Sequence, residues 1–216
     1  MVELQSTFYE PPSITLATKW RAAAPPEFRF CMKAWQLITH RSSSSTYRRL
    51  KSKLTEEELP LVGAFQPTEQ VRLAWERTAE IARVLRAEVI VFQCPPSLQP
   101  EPAVIRNIHE FFAEVGRGDA KLAWEPRGDW PAELVGEICA AHDLLHCVDP
   151  FKSSSVFGAP LYWRLHGRGG YHYRYSDDEL TELYGMLAAR GSNAYVMFNN
   201  IWMKDDAQRF LQRRPR

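Results

Sequence analysis

His166 lies in the segment Tyr162-Trp163-Arg164-Leu165-His166-Gly167, two residues after Arg164. Side chains two apart on a strand share a face, so this spacing sets an imidazole that titrates near neutrality beside a fixed cation. That is the makings of an acid–base group next to an anion holder. The spacing recurs. In Lys121-Leu122-Ala123-Trp124-Glu125-Pro126-Arg127 it pairs Glu125 with Arg127 and turns Leu122 and Trp124 the other way. Lys33 follows Cys31, Gln93 follows Val91, and Asp149 follows Leu145 and Cys147. Glu3 and Gln5 share a face in the first apolar run, and Asn199 and Asn200 close the last one.

Taken as chemistry, Lys33, Arg127 and Arg164 supply three cations, and Glu3, Glu125 and Asp149 three carboxylates. Two guanidiniums and an ammonium suit phosphate or carboxylate, which a guanidinium can grip with two parallel bonds. The expected catalytic set is His166 with Glu125 and Asp149. The expected substrate-binding set is Lys33, Arg127, Arg164, Gln93, His40, Asn199, Asn200 and Glu3. Glu125 would serve as base or nucleophile only if burial raised its pKa, which Arg127 and Lys33 oppose. The same residue types would also build an internal ion-pair lattice that binds nothing.

The cofactor is left open. A divalent metal on Glu3, Glu125, Asp149 and His166 is allowed by ligand type, but no His-Glu-Xaa-Xaa-His or Cys-Xaa-Xaa-Cys signature supports one. Cys139 with His142, followed by His146 and Cys147, resembles a metal knuckle. Its plainer reading is a helix end and a strand start with two small core cysteines.

Groups so far apart in the chain meet only if separate strands aim their ends at one place. Seven apolar runs of strand length are found, at Val2–Thr7, Phe28–Trp35, Val89–Cys94, Lys121–Arg127, Leu144–Asp149, Leu161–Gly167 and Ala194–Asn200. Helical periodicity fills the gaps. Ser13 caps a helix to Ala23, Thr68–Ala87 and Pro102–Val115 are amphipathic, and Pro131–His142 opens on proline. Ser176 to Glu179 is a capping box with Gly191 as the stop, and Lys204–Arg214 closes the chain. The stretch from His40 to Gln66 breaks this rhythm and reads as a long loop with one short helix.

The alternation predicts parallel strands with crossover helices, as an open doubly wound sheet or a closed barrel; both carry their sites at the strand C-termini. Gly167-Arg168-Gly169-Gly170 lacks the dinucleotide fingerprint. The 216 residues, 45% hydrophobic and 25% charged, predict a single domain over 1–216. A formal charge of +1 removes any overall pull toward nucleic acid or an anionic membrane, so such a partner would need a local patch. No apolar run nears the roughly 20 residues that span a bilayer. Four cysteines without a disulfide spacing, and no secretory leader, predict a cytoplasmic protein.

Several of these segments also form an ordered series: Gln5-Ser6-Thr7-Phe8-Tyr9, Phe28-Arg29-Phe30 with Lys33, Thr39-His40, Gln93-Cys94-Pro95-Pro96, Glu125-Pro126-Arg127, Val148-Asp149, Arg164-Leu165-His166-Gly167 and Phe198-Asn199-Asn200. The series resembles the hallmarks of the YecE-like family, also called domain of unknown function 72, from about residue 2 to residue 210. The resemblance implies a TIM-type (β/α) barrel with a polar pocket at its C-terminal face, and supplies no reaction. Members of that family open with a glycine-rich first strand bearing a tryptophan. Against that pattern this chain is expected to lack or truncate the first βα unit, leaving strand edges that a second subunit could cover.

The function expected is an enzyme, a hydrolase, isomerase or lyase, that binds a small anionic, phosphorylated or sugar-like substrate and uses histidine–carboxylate acid–base chemistry. One rival is a nucleic-acid binder or phosphodiesterase. It would use the basic run Arg48, Arg49, Lys51 and Lys53, the tyrosines 162, 171, 173 and 175, and the tail Arg209, Arg213, Arg214 and Arg216. The other is a non-catalytic module for a ligand or partner.

Overall fold

The computed structural model describes residues 1–191 and 193–213. Arg214 and Arg216 of the basic tail, and the last residue of the expected final helix, lie outside the described residues. The chain divides into two compact units, Met1–Leu144 and Leu145–Arg216.

In the first unit four strands run parallel and pair in chain order: β1 (Val2–Leu4), β2 (Phe30–Lys33), β3 (Ala87–Gln93) and β4 (Lys121–Glu125). Helices α1 (Ile14–Ala23), α2 (Gln36–Thr39), α3 (Glu69–Leu85), α4 (Pro102–Glu114) and α5 (Ala132–Ala141) follow or connect them. Phe92 decides which face of β3 is covered. Its ring lies 5.8 Å from Trp75 on α3 and 5.6 Å from Phe111 on α4, so Val91 and Gln93 take the opposite face. Phe65 and Phe112 complete this buried aromatic cluster, each such ring contributing about 1.5–3 kcal/mol by burial. Register places Lys33 level with Val91 and Gln93 level with Glu125, so polar strand ends of one parity fall together.

The second unit repeats the plan with β5 (Leu145–Val148), β6 (Leu161–Leu165) and β7 (Ala194–Phe198), parallel and paired in order, and with α6 (Asp177–Arg190) and α7 (Met203–Leu211). Trp163, Leu165 and Phe198 pack with Leu180, Leu183 and Phe210 of the helices, leaving Arg164 on the other face. The capping box forms as read, with Ser176 and Glu179 exchanging bonds and Gly191 left-handed at the helix end. The alternation of parallel strands and helices in both units is TIM-type α/β. Among the described residues no helix is long and apolar enough to cross a membrane.

Most strands are shorter than their apolar runs suggest, while β3 starts two residues before its run, at Ala87. Val2–Thr7 ends at Leu4, and Ser6–Phe8 is a 3-10 turn in which the Thr7 hydroxyl lies 2.9 Å from the carbonyls of both Leu4 and Lys33. The stretch after His40 carries two 3-10 turns, Ser45–Arg49 and Leu59–Leu61, and the short helix α2 precedes it. It returns through an uncommon run of left-handed residues: Gly63 (φ 82°), Ala64 (53°) and Phe65 (53°). Gly63 N–H donates to Leu37 O at 2.7 Å and Phe65 N–H to Ile38 O at 2.8 Å. A Cβ on Gly63 would sit 2.2 Å from the His40 carbonyl oxygen, so only glycine fits.

Candidate functional site

In the first unit the polar cluster is built on strand ends. Lys33, the last residue of β2, donates from Nζ to Gln93 Oε1 at 2.8 Å. Its backbone N–H donates to the Thr7 hydroxyl at 3.1 Å, fixing the strand end from which the ammonium projects. Glu125 ends β4 and is buried; Arg127 Nε donates to its Oε1 at 2.7 Å, and the Arg127 side chain keeps 32% of its surface exposed. Glu3 on β1 is buried too and takes a bond from Gln5.

His40 belongs to this group more closely than its place at a loop edge suggests. It is buried, its ring meets Phe8 edge-on with centroids 4.8 Å apart, and its Nδ1 lies 2.8 Å from the Thr39 hydroxyl. The same Phe8 ring has Lys33 Nζ 5.4 Å from its centre. Burial, and then the charges of Arg127 and Lys33, push the His40 pKa down to about 4. The imidazole is therefore neutral at pH 7. Taking up a proton would make this imidazole a third cation near Lys33 and Arg127, a charge that a bound anion would offset.

The second unit has its own polar strand end. Arg164 is completely buried on β6. His166 follows the strand, and Asn199 Nδ2 lies 3.0 Å from its Nδ1. The contact with the Asn199 amide fixes the orientation of the ring through Nδ1. Asp149 does not reach the imidazole through these bonds. Its Oδ2 accepts from the backbone N–H of His166 at 3.1 Å and its Oδ1 from that of Phe151 at 3.1 Å, which holds the turn that carries the histidine. Asn200 is buried and donates to Tyr173 O at 2.8 Å and Asp206 Oδ2 at 2.7 Å, anchoring the start of α7. Asn199 and Asn200, adjacent in sequence, thus serve different ends.

Sequence reasoning passed over Thr7, Thr39, Tyr47 and Asp206. Thr39 and Thr7 had a signal, since both stand inside the quoted motifs. Tyr47, whose hydroxyl donates to His40 O at 2.7 Å, and Asp206, buried against Asn200 and Arg209, had none. Of the tyrosines read as a stacking set, Tyr162 and Tyr175 are buried in the core while Tyr171 is exposed.

Among the described residues no three His, Cys, Asp or Glu side chains gather as a metal site requires. His142 lies 2.8 Å from His109 through ring nitrogens, and His146 Nδ1 accepts from Val156 N–H at 3.1 Å, so the knuckle residues have other engagements. All four cysteines are buried, and burial pushes the Cys94 and Cys139 thiols up to about 12.

The model for a protein family of unknown function, DUF72, matches residues 1–213. The chain belongs to the DUF72 family. This is the family that the motif series resembles. A solved DUF72 protein from Thermotoga maritima is similar in structure, with a TM-score of 0.66 and 22% identity over 98% of this chain and 82% of that one. A likeness at that identity establishes the shared fold. No curated protein matches the chain.

Proposed function

We propose that this DUF72 protein is an enzyme that binds a small anionic, phosphorylated or sugar-like substrate and moves a proton with histidine. The observation that carries the reading is His40: a buried imidazole held neutral beside Lys33 and Arg127. In this reading Lys33 and Arg127 hold the anion, Gln93 and Glu125 orient those two cations, and His40 exchanges the proton at Nε2. His166, held through Nδ1 by Asn199, is the acid–base candidate of the second unit. The cofactor requirement is open in this reading.

Titration calorimetry with inorganic phosphate and with sugar phosphates tests it. Lys33→Met and Arg127→Gln should each weaken binding about 10- to 100-fold, the range for one charge-assisted hydrogen bond. Against panels of phosphate-bearing substrates for hydrolases, isomerases and lyases, His40→Gln and His166→Gln should lose turnover while keeping the native melting temperature. Unchanged anion affinity in both cation variants refutes the binding role, and full turnover in both histidine variants refutes the acid–base role.

A further inference from the structure

Thirteen residues after α2, from Arg41 to Lys53, carry Arg41, Arg48, Arg49, Lys51 and Lys53 and no acidic residue. All five cations are exposed, and among the described residues none of the five stands in an ion pair. Elsewhere in the same unit Arg29, Arg72, Arg77, Arg106 and Arg117 each have a carboxylate partner, while Arg83 and Arg86, like the five, have none among the described residues. Like charges packed this densely repel one another and cost the folded state energy unless something neutralises them.

The segment is nevertheless built, not loose. Ser44 caps the Ser45–Arg49 turn, accepting from Thr46 N–H, and Leu50 N–H returns to Tyr47 O at 2.9 Å. The Tyr47 hydroxyl ties the turn to the His40 carbonyl at 2.7 Å. Glu10 accepts from the backbone N–H groups of Lys51 and Ser52 at 3.3 Å each, and the Arg49 guanidinium lies 3.6 Å from the centre of the Tyr9 ring. The backbone holds its shape, Arg49 rests on the Tyr9 ring, and all five cationic residues stay exposed.

We infer that this loop is a docking surface for the phosphate backbone of a nucleic acid strand. A pre-ordered row of guanidinium and ammonium groups interleaved with serine and threonine hydroxyls supplies the donors that phosphate oxygens take, at little ordering cost. A lipid surface fits less well. Peripheral membrane attachment inserts apolar side chains, and the one aliphatic residue of the segment, Leu50, is half-buried. The inference does not depend on the Lys33 cluster, so either can fail alone.

Fluorescence anisotropy with labelled oligothymidylate and oligouridylate tests it on the full chain. With five cations engaged, the slope of log affinity against log salt should be roughly −3.5, about −0.7 for each phosphate neutralised on a single strand. The triple variant Arg48→Gln, Lys51→Gln, Lys53→Gln should bind about 100-fold more weakly near 0.1 M salt, on the order of five-fold per cation, with its slope reduced to about −1.4. Its circular dichroism and melting temperature should be native, since all three side chains are exposed. A charge-matched variant on α3, Arg72→Gln, Arg77→Gln, Arg83→Gln, should bind like the wild type. Equal losses in the two variants, absence of strand binding at low salt, or equally tight binding of phosphatidylserine vesicles or polyglutamate would each overturn the inference.

Discussion

Acid should destabilise this protein through one named histidine. His40 has a folded-state pKa of about 4 against an ordinary 6.5, because burial and the cations Arg127 and Lys33 disfavour its charged form. Between those two values the unfolded chain takes up a proton at this residue and the folded chain does not. Stability is therefore highest above the unfolded pKa and falls as the pH drops through the window. Integrating from pH 7 to pH 5, the loss at this one site is about 2 kcal/mol. Urea unfolding of the wild type and of His40→Gln at both values measures it, since other titrating groups act alike in the two proteins. The drop in stability should be about 2 kcal/mol smaller in the variant, with the denaturant slope unchanged. Equal drops would refute the claim that His40 is held neutral inside the fold. An imidazole whose NMR shifts titrate near 6.5 would refute it independently.

Two further substitutions test the scaffolding. Gly63→Ala forces a Cβ against the His40 carbonyl at a positive φ, so it should cost several kcal/mol in urea unfolding and displace the His40 ring resonances. Asp206→Ala leaves the buried Asn200 amide and Arg209 without their shared acceptor and should cost about 2–4 kcal/mol, whereas Asp205→Ala, one residue earlier and exposed, should cost under about 0.5 kcal/mol.

What could be read ahead of the coordinates followed the range of the forces involved. Strand parity is local, and so Trp163 and Leu165 fall on the helix side and Arg164 opposite, as two-residue spacing requires. Caps are local as well, and Ser13 and Ser176 both accept the expected backbone bond. Strand ends were overrun because Gln5-Ser6-Thr7 continues an extended pattern, while the chain turns where the Thr7 hydroxyl finds the Lys33 carbonyl, 26 residues away. Helix α2 was invisible, being four residues long, and the Gly63–Phe65 return carries only one glycine for three left-handed positions. The environment of His40 depends on Phe8, Lys33 and Arg127, none of them a sequence neighbour. Asp149 has the residue type of an acid–base partner, and what its type does not tell is that both its oxygens accept backbone amides of the turn.

The buried thiols have a practical use. Alkylating reagents attack the thiolate, and a pKa of about 12 leaves on the order of one Cys94 or Cys139 side chain in ten thousand ionised at pH 8. Labelling of the native protein must then wait for the surrounding structure to open. Cys31, Cys94 and Cys139 lie in the first unit and Cys147 in the second, so peptide mapping after timed iodoacetamide pulses would report separately how often each half of the chain breathes.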